Sequence, residues 1–144
     1  MRWLEFGLML ALVLGVGAGA AKAQEQRIDV ELMVSHVSSA GGEIDPRGQK
    51  LHQKLQGQFR YESLRVLQIR RLRLALNEVG TVGLPNGKSV RVRPLQLSGS
   101  GVLLAVDVEG AARMDLKVRK GHLVVIGAER YQDGKLVISL EPRW

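Results

Sequence analysis

The stretch "LQIRRLRLAL", residues 67–76, places two adjacent arginines, Arg70 and Arg71, inside a run of aliphatic side chains. Alternation with a period of two is typical of a half-buried β-strand. A change of phase turns every later side chain to the other face unless an extra residue absorbs it. The apolar residues change from odd to even positions across the pair: Leu67, Ile69, Leu72, Leu74, Leu76. We therefore expect a β-bulge at Arg70 and Arg71; a break into two strands would produce the same change of phase.

The flanking sequence continues this strand-like alternation. Downstream, apolar residues recur at every second position in "SVRVR", "GVLLAVDV", "RMDLKV" and "KLVISL". Turn signals separate these runs: "PNG" at 85–87, Lys120-Gly121 and Asp133-Gly134. Upstream, "RIDVELMVSHV" predicts a strand over 28–37. Many short strands at close spacing predict an all-β fold, sandwich-like or a small barrel, with about seven or eight mainly antiparallel strands.

One short helix is predicted in the otherwise β-rich chain. A loop over 35–48 is followed by "DPRGQKLHQKLQG", in which Asp45 is suited to the N-cap and Pro46 to the first helical position. Leu51 and Leu55 lie four residues apart and fall on one helical face. Gly57 is suited to ending the helix. We expect a helix over about 46–57, packed on the edge or the end of the sheets.

The first residues, "MRWLEFGLMLALVLGVGAGAAKAQ", have the composition of an export signal. Arg2 precedes an apolar run at 7–21 that is shorter than the roughly 20 residues of a membrane span. The A-x-A pattern "AKA" at 21–23 fits a cleavage site. The sequence thus predicts a signal peptide at 1–23 and a single domain at 24–144, exported to the periplasm or the cell exterior, without a transmembrane span in the mature chain. An uncleaved N-terminal anchor is the alternative.

Basic residues dominate the charge of the chain. It contains 21 Lys and Arg against 14 Asp and Glu, and removing the leader changes the net charge from +7 to +6. Six cations alternate with apolar residues on predicted strands: Arg71, Arg73, Arg91, Arg93, Lys117, Arg119. If these strands share a sheet, the six make a basic face that attracts a polyanion. The simpler interpretation is a solvated face with acidic neighbours such as Asp107 and Asp115.

No motif for catalysis or metal binding is present. The chain has no cysteine, which excludes disulfides and cysteine nucleophiles. "SGSG" at 98–101 precedes a strand rather than a helix, so it reads as a hairpin loop. His36, His52 and His122 lack the spacing of a metal site. Asp107 and Glu109 share one strand face instead of facing each other across a cleft. We predict no enzyme activity, no cofactor and no metal.

Three segments resemble a group of small exported bacterial β-rich domains of unassigned function. The segments are "LHQKLQGQFRYESLRVL", "GLPNGKSVRV" and "HLVVIGAERYQDGKLVISL", and the likeness extends over about 90 residues. The resemblance implies a β-rich exported domain. It assigns no catalytic residue and no ligand to any position of this chain.

These features together predict a non-enzymatic module of the cell envelope. We expect it to contact another envelope protein, with the strand at 28–37 as an edge strand that pairs with the partner. Binding of an anionic envelope polymer through the basic face is the alternative. A small hydrolase, whose residues only folding brings together, is a third hypothesis. Nucleic acid is not an expected partner, because the chain is predicted to be exported and only 4% of its residues are aromatic.

Overall fold

The computed structural model describes residues 26–111 and 113–144, which form two four-stranded antiparallel sheets and one short helix. The strands are β1 (Arg27–Ser38), β2 (Ser63–Ala75), β3 (Gly80–Gly83), β4 (Ser89–Leu97), β5 (Gly101–Val108), β6 (Arg113–Arg119), β7 (Val124–Tyr131) and β8 (Gly134–Arg143). Sheet A has the order β2-β1-β8-β7, and sheet B has the order β3-β4-β5-β6. A 3-10 turn at Pro46–Gly48 leads into α1 (Gln49–Leu55). All of these elements lie within 24–144; the predicted signal peptide lies outside the described residues.

The two sheets pack face to face across the larger of two apolar cores. On β1, the side chains of Ile28, Val30, Leu32 and Val34 are all fully buried in this core. Sheet B supplies a matching set from β4 and β5: Val90, Val92, Val102, Leu104, Val106, Val108. Complete burial of each such side chain stabilises the fold by about 1.5–3 kcal/mol. The predicted sandwich of antiparallel strands is confirmed, as two separate sheets rather than a closed barrel.

The helix covers the outer face of sheet A and forms the second core there. Asp45 accepts a hydrogen bond from the Arg47 backbone N–H at 3.0 Å, which is the predicted N-cap interaction. Leu51 and Leu55 are fully buried in the same apolar cluster as Met33 and Val37 of β1. The predicted helix is therefore present, but its placement at an edge or end was wrong. Because Met33 and Val37 are also apolar and point away from the main core, sheet A has a second apolar patch that must be covered.

β1 is an interior strand, so the prediction that 28–37 is an edge strand was wrong. It pairs with β2 along one side and with β8 along the other, over nearly its whole length. From Leu32 to Ser38 every residue is buried. Burial on both faces and hydrogen bonding on both edges leave this strand no surface on which a partner could pair.

The bulge in β2 lies at Leu67, not at the arginine pair. Val34 pairs with Gln68 and Ser35 pairs with Val66, which leaves Leu67 as the extra residue. Arg70 and Arg71 pair in regular register with the next residues of β1, and β2 continues unbroken through them. The bulge predicted at the arginines and the alternative break were both wrong. Ile69 packs in the core under the helix and Leu72 in the core between the sheets, so no phase change occurs between them.

The predicted turns are present, but the β7–β8 turn lies one residue earlier than the predicted Asp133-Gly134. The β3–β4 turn contains Asn86 and Gly87, and Gly87 has a φ of 86°, which glycine adopts without steric cost. The β7–β8 hairpin turns at Gln132 and Asp133, and a Cβ on Gly134 would overlap the carbonyl of Val37. Within the described residues, no helix is both long and apolar enough to cross a membrane.

Candidate functional site

The six predicted polyanion-binding residues do not share one face. Arg71 and Arg73 lie on β2 of sheet A, where Arg71 Nε donates to Glu31 Oε2 at 3.1 Å and Arg73 is in register with Asp29. The other four lie on sheet B, with Arg91 and Arg93 on β4 and Lys117 and Arg119 on β6. The sandwich separates the two groups, because sheets A and B turn their outer faces in opposite directions. A single basic face would require all six residues to lie on one sheet, so this face is not formed.

A smaller group of cations lies together on the outer face of sheet B. Val90 and Val92 point into the core, so Arg91 and Arg93 between them point outward. Val118 is likewise buried, which turns Lys117 and Arg119 to the same outer face. Arg113 at the start of β6 joins them. We call this set of five residues the basic face: Arg91, Arg93, Arg113, Lys117, Arg119.

Small and apolar side chains separate the two rows of cations. β5 lies between β4 and β6, and its outward residues are Gly101, Leu103, Ala105 and then Asp107. Leu103 is opposite Lys117, and Ala105 is opposite both Arg93 and Asp115. Neighbouring strands are about 4.8 Å apart, so β4 and β6 are about 10 Å apart. The face is thus a shallow strip, apolar at Leu103 and Ala105 and acidic at Asp107. Arg91 and Arg93 lie along one side of it, and the other side carries Arg113, Asp115, Lys117 and Arg119.

Most of the cations on the basic face form no ion pair, although Asp107 lies opposite Arg91 on the neighbouring strand. Asp107 Oδ2 accepts a hydrogen bond from Arg113 Nε at 3.2 Å, and the two form an ion pair. Across residues 26–111 and 113–144, ion pairs within 4 Å involve none of the other four cations of the face. Five cations against Asp107 and Asp115 leave the face positive. Unpaired, solvated guanidinium groups are suited to binding carboxylate, sulfate or phosphate oxygens.

A cavity of about 340 Å³ opens at one end of the basic face. Its lining combines three arginines, two carboxylates and an exposed aliphatic residue: Arg91, Arg93, Arg113, Asp107, Asp115, Val79. Val79, which is 53% exposed, supplies an apolar contact in this lining. The cavity offers an anionic group two guanidinium forks beside an apolar contact.

A second cavity, of about 610 Å³, lies at the end of sheet A beside the β7–β8 turn. Asp133 lines the cavity: its Oδ1 is 3.2 Å from His36 Nε2, and its Oδ2 accepts from Ser38 Oγ at 3.1 Å. His36 Nε2 also lies 3.3 Å from the carbonyl oxygen of Tyr131. The sequence placed His36 at a strand end and Asp133 in a turn, but nothing in their distant positions indicated that they meet.

The order of contacts in this second cavity fits a structural role. In a serine hydrolase the imidazole lies between the hydroxyl and the carboxylate and takes the hydroxyl proton. Here the carboxylate of Asp133 lies between Ser38 and His36. These contacts fasten the β7–β8 turn to β1. The "SGSG" segment forms the β4–β5 turn, in which Ser98 Oγ donates to the Gly101 carbonyl at 3.0 Å.

Asp45 joins the helix to the edge of sheet A. Its carboxylate accepts hydrogen bonds from the Arg47 side chain and backbone, and from the Val66 N–H at 3.2 Å. The hydrogen bonds from Arg47 hold the pKa of Asp45 well below its usual value. At Glu141, burial acts to raise the pKa, but the hydrogen bonds from Lys50 and Arg143 outweigh it and the pKa is lowered. Both carboxylates are thus ionised at neutral pH.

The three histidines lie apart from one another. His36 contacts Asp133, His52 Nδ1 lies 2.7 Å from the Tyr61 hydroxyl, and His122 borders a separate cavity beside Lys50. In the part of the chain that the structure describes, no three His, Asp or Glu side chains come together as metal ligands would. The absence of a metal and of a cofactor stays a prediction.

Comparisons of the chain with protein-family models, with curated proteins and with solved structures found no match. The resemblance to small exported β-rich domains therefore remains a prediction. Any proposal about function depends on the surfaces and contacts of this chain alone.

Proposed function

We propose that the domain is an exported, non-enzymatic module that binds an anionic polymer along the outer face of sheet B. One observation supports this function above all. Four cations without an ion-pair partner among the described residues, Arg91 and Arg93 on β4 and Lys117 and Arg119 on β6, border an apolar strip. Sheet A has a helix over its outer face, whereas this strip of sheet B is open to solvent.

The shape of the basic face suits a single extended chain. Two rows of cations about 10 Å apart leave room for one polymer strand between them. Leu103 and Ala105 on the floor of the strip contact the less polar parts of a sugar or backbone unit, while the arginines and Lys117 reach its acidic groups. A wide, shallow surface with repeated charges recognises repeated charge in the ligand, so we expect polyuronate or phosphodiester polymers to bind without strong sequence selectivity.

Charge neutralisation should make this binding strongly dependent on salt. Screening shortens the reach of exposed charges to about 8 Å at physiological ionic strength and about 3 Å at 1 M. The purified chain from Gln24 to Trp144, titrated with polygalacturonate by calorimetry, should bind at low salt and lose binding at about 1 M salt. A neutral dextran of the same length serves as the ligand control.

A matched pair of variants tests the location of the site. Arg91→Gln/Arg93→Gln and Arg71→Gln/Arg73→Gln each remove two positive charges, on sheet B and on sheet A respectively. We expect the sheet B variant to weaken polygalacturonate binding by about tenfold, which is about 1.4 kcal/mol. The sheet A variant should change binding by about twofold or less, through net charge alone. Equal losses in the two variants would show that total charge, not the basic face, drives the interaction.

A further inference from the structure

The outer edge of β2 has a gap in its hydrogen bonding. At the start of the strand, the Leu64 N–H donates to the Glu43 carbonyl at 3.1 Å, and Leu64 O accepts from the Asp45 N–H at 2.8 Å. Two residues on, the Val66 N–H donates to the Asp45 carboxylate, and Val66 O accepts from Arg47 Nη2 at 3.2 Å. The first part of this edge is therefore closed by the segment that leads into the helix.

The far end of the same edge is closed as well. The Ala75 N–H donates to Glu78 Oε1 at 2.9 Å, and Ala75 O accepts from the Glu78 N–H at 3.1 Å. Along one strand of an antiparallel pair, backbone groups alternate between pointing toward the partner and pointing away. Because Ala75 points away from β1, the residues two, four and six positions earlier point away too. These residues are Ile69, Arg71 and Arg73.

Ile69, Arg71 and Arg73 have no backbone hydrogen-bond partner on that side within the described chain. β2 pairs only with β1, and the turn, loop and side-chain hydrogen bonds of the described residues reach none of these N–H and C=O groups. We call this segment, residues 69–73, the open edge. Exposed backbone groups in a row are the template on which another extended chain pairs.

The side chains of the open edge indicate the charge of the partner. Arg70, Arg71 and Arg73 are all exposed, and of the three only Arg71 has an ion pair, with Glu31, among residues 26–111 and 113–144. A second copy of this chain paired along the same edge would place arginines against arginines, and like charges directly opposite destabilise a sheet. An extended segment with carboxylates at alternate positions would instead be attracted by the arginines of the open edge.

We propose that the open edge of β2 accepts an acidic, extended segment of another protein, which adds to sheet A as a fifth strand. The segment pairs with the backbone of Ile69, Arg71 and Arg73, and its carboxylates face the arginines. Asp45 and Arg47 at one end and Glu78 at the other limit the pairing to the segment between them. This contact uses sheet A and goes beyond the polymer binding proposed for sheet B.

Hydrogen exchange at single amides tests the proposal. In the free protein, the amides of Ile69, Arg71 and Arg73 should exchange fast, while those of Arg70 and Leu72, which face β1, are protected. The probe is a heptapeptide of alternating Glu and Val; its Lys/Val counterpart controls for charge. A third peptide with N-methyl groups on alternate amides keeps the charge but cannot pair. Saturation with the Glu/Val peptide should slow exchange at the three outward amides by tenfold or more, about 1.4 kcal/mol of protection.

The variants used for sheet B separate this proposal from the polymer site. The readout is the peptide concentration that half-protects the three outward amides. Arg71→Gln/Arg73→Gln should raise this concentration about tenfold, whereas Arg91→Gln/Arg93→Gln should change it by about twofold or less. For polygalacturonate, the sheet B variant is expected to have the larger effect, which is the reverse. One proposal can therefore be contradicted while the other is supported. Binding without protection of the three amides, equal binding of the N-methyl peptide, or no protection at about 1 mM peptide would each overturn strand addition.

Discussion

The outer faces of the two sheets have similar sequence patterns but different surroundings. On sheet A, the helix buries Met33 and Val37, and two ion pairs lie beside it, Arg71 with Glu31 and Lys50 with Glu141. On sheet B, four of the five cations are unpaired among the described residues, and the apolar strip between them is solvated. The outer face of sheet A is therefore largely covered by the helix, whereas the outer face of sheet B is left open as a binding surface.

Truncation of one leucine on each outer face should show the largest difference between the sheets. Leu51→Ala removes a fully buried side chain under the helix, and we expect it to lower the free energy of unfolding by about 2–5 kcal/mol. Leu103→Ala makes the same change on the half-buried strip of sheet B and should cost about 1 kcal/mol or less. Urea denaturation with a common m-value measures both. Equal losses would mean that the sheet B strip is as well packed as the core under the helix.

Acidification should weaken the junction between the helix and sheet A. Asp45 has a folded-state pKa below the ordinary value of 3.8, so its ionised form stabilises the fold at pH values above 3.8. That contribution is lost as the pH falls below 3.8 toward the lower, folded-state pKa. Asp45→Asn cannot titrate, so its free energy of unfolding should fall less steeply than that of the wild type over this range.

Urea midpoints at a series of pH values from neutral to acid measure this effect. Asp115→Asn on sheet B, a carboxylate without an ion pair among the described residues, is the matched control and should follow the wild-type curve. Parallel curves for the wild type and Asp45→Asn would contradict the role assigned to Asp45.

The smallest effect is expected at the exposed ion pair of sheet A. The side chains of Arg71 and Glu31 are 80% and 41% exposed, so solvent screens their attraction. Glu31→Gln should lower the free energy of unfolding by about 0.2–1 kcal/mol at low salt. At about 1 M salt the difference should disappear, because the screening length falls to about 3 Å. A difference that persists at high salt would show that packing, not charge, accounts for the loss.

Local sequence pattern predicted the elements of this fold well. Period-two alternation identified the strands, Asp133-Gly134 and "PNG" identified hairpin turns, and Asp45 and Leu51 identified the helix. Pairing order was not predictable in this way, because the hydrophobic period of β1 is the same at an edge as in the middle of a sheet. The bulge was misplaced for a related reason. Ile69 and Leu72 were assumed to share one buried face, whereas each packs in a different core.

The candidate sites were predicted only in part. Outward cations on alternate positions were correctly recognised on β4 and β6, but the assignment of Arg71 and Arg73 to the other sheet depends on long-range pairing. Contact between His36 and Asp133 requires the β7–β8 turn to lie against β1, which no spacing rule indicates. The open edge is harder still to predict. Whether an N–H points outward depends on strand register and on the bulge at Leu67.

The central position of β1 in sheet A also has a consequence for how the chain folds. β1 pairs with β8, which begins nearly 100 residues later along the chain. Contacts so distant in sequence close large loops, and β-rich domains dominated by them fold in milliseconds to seconds rather than microseconds. Until β8 arrives, one whole side of β1 stays unpaired and the main core cannot close.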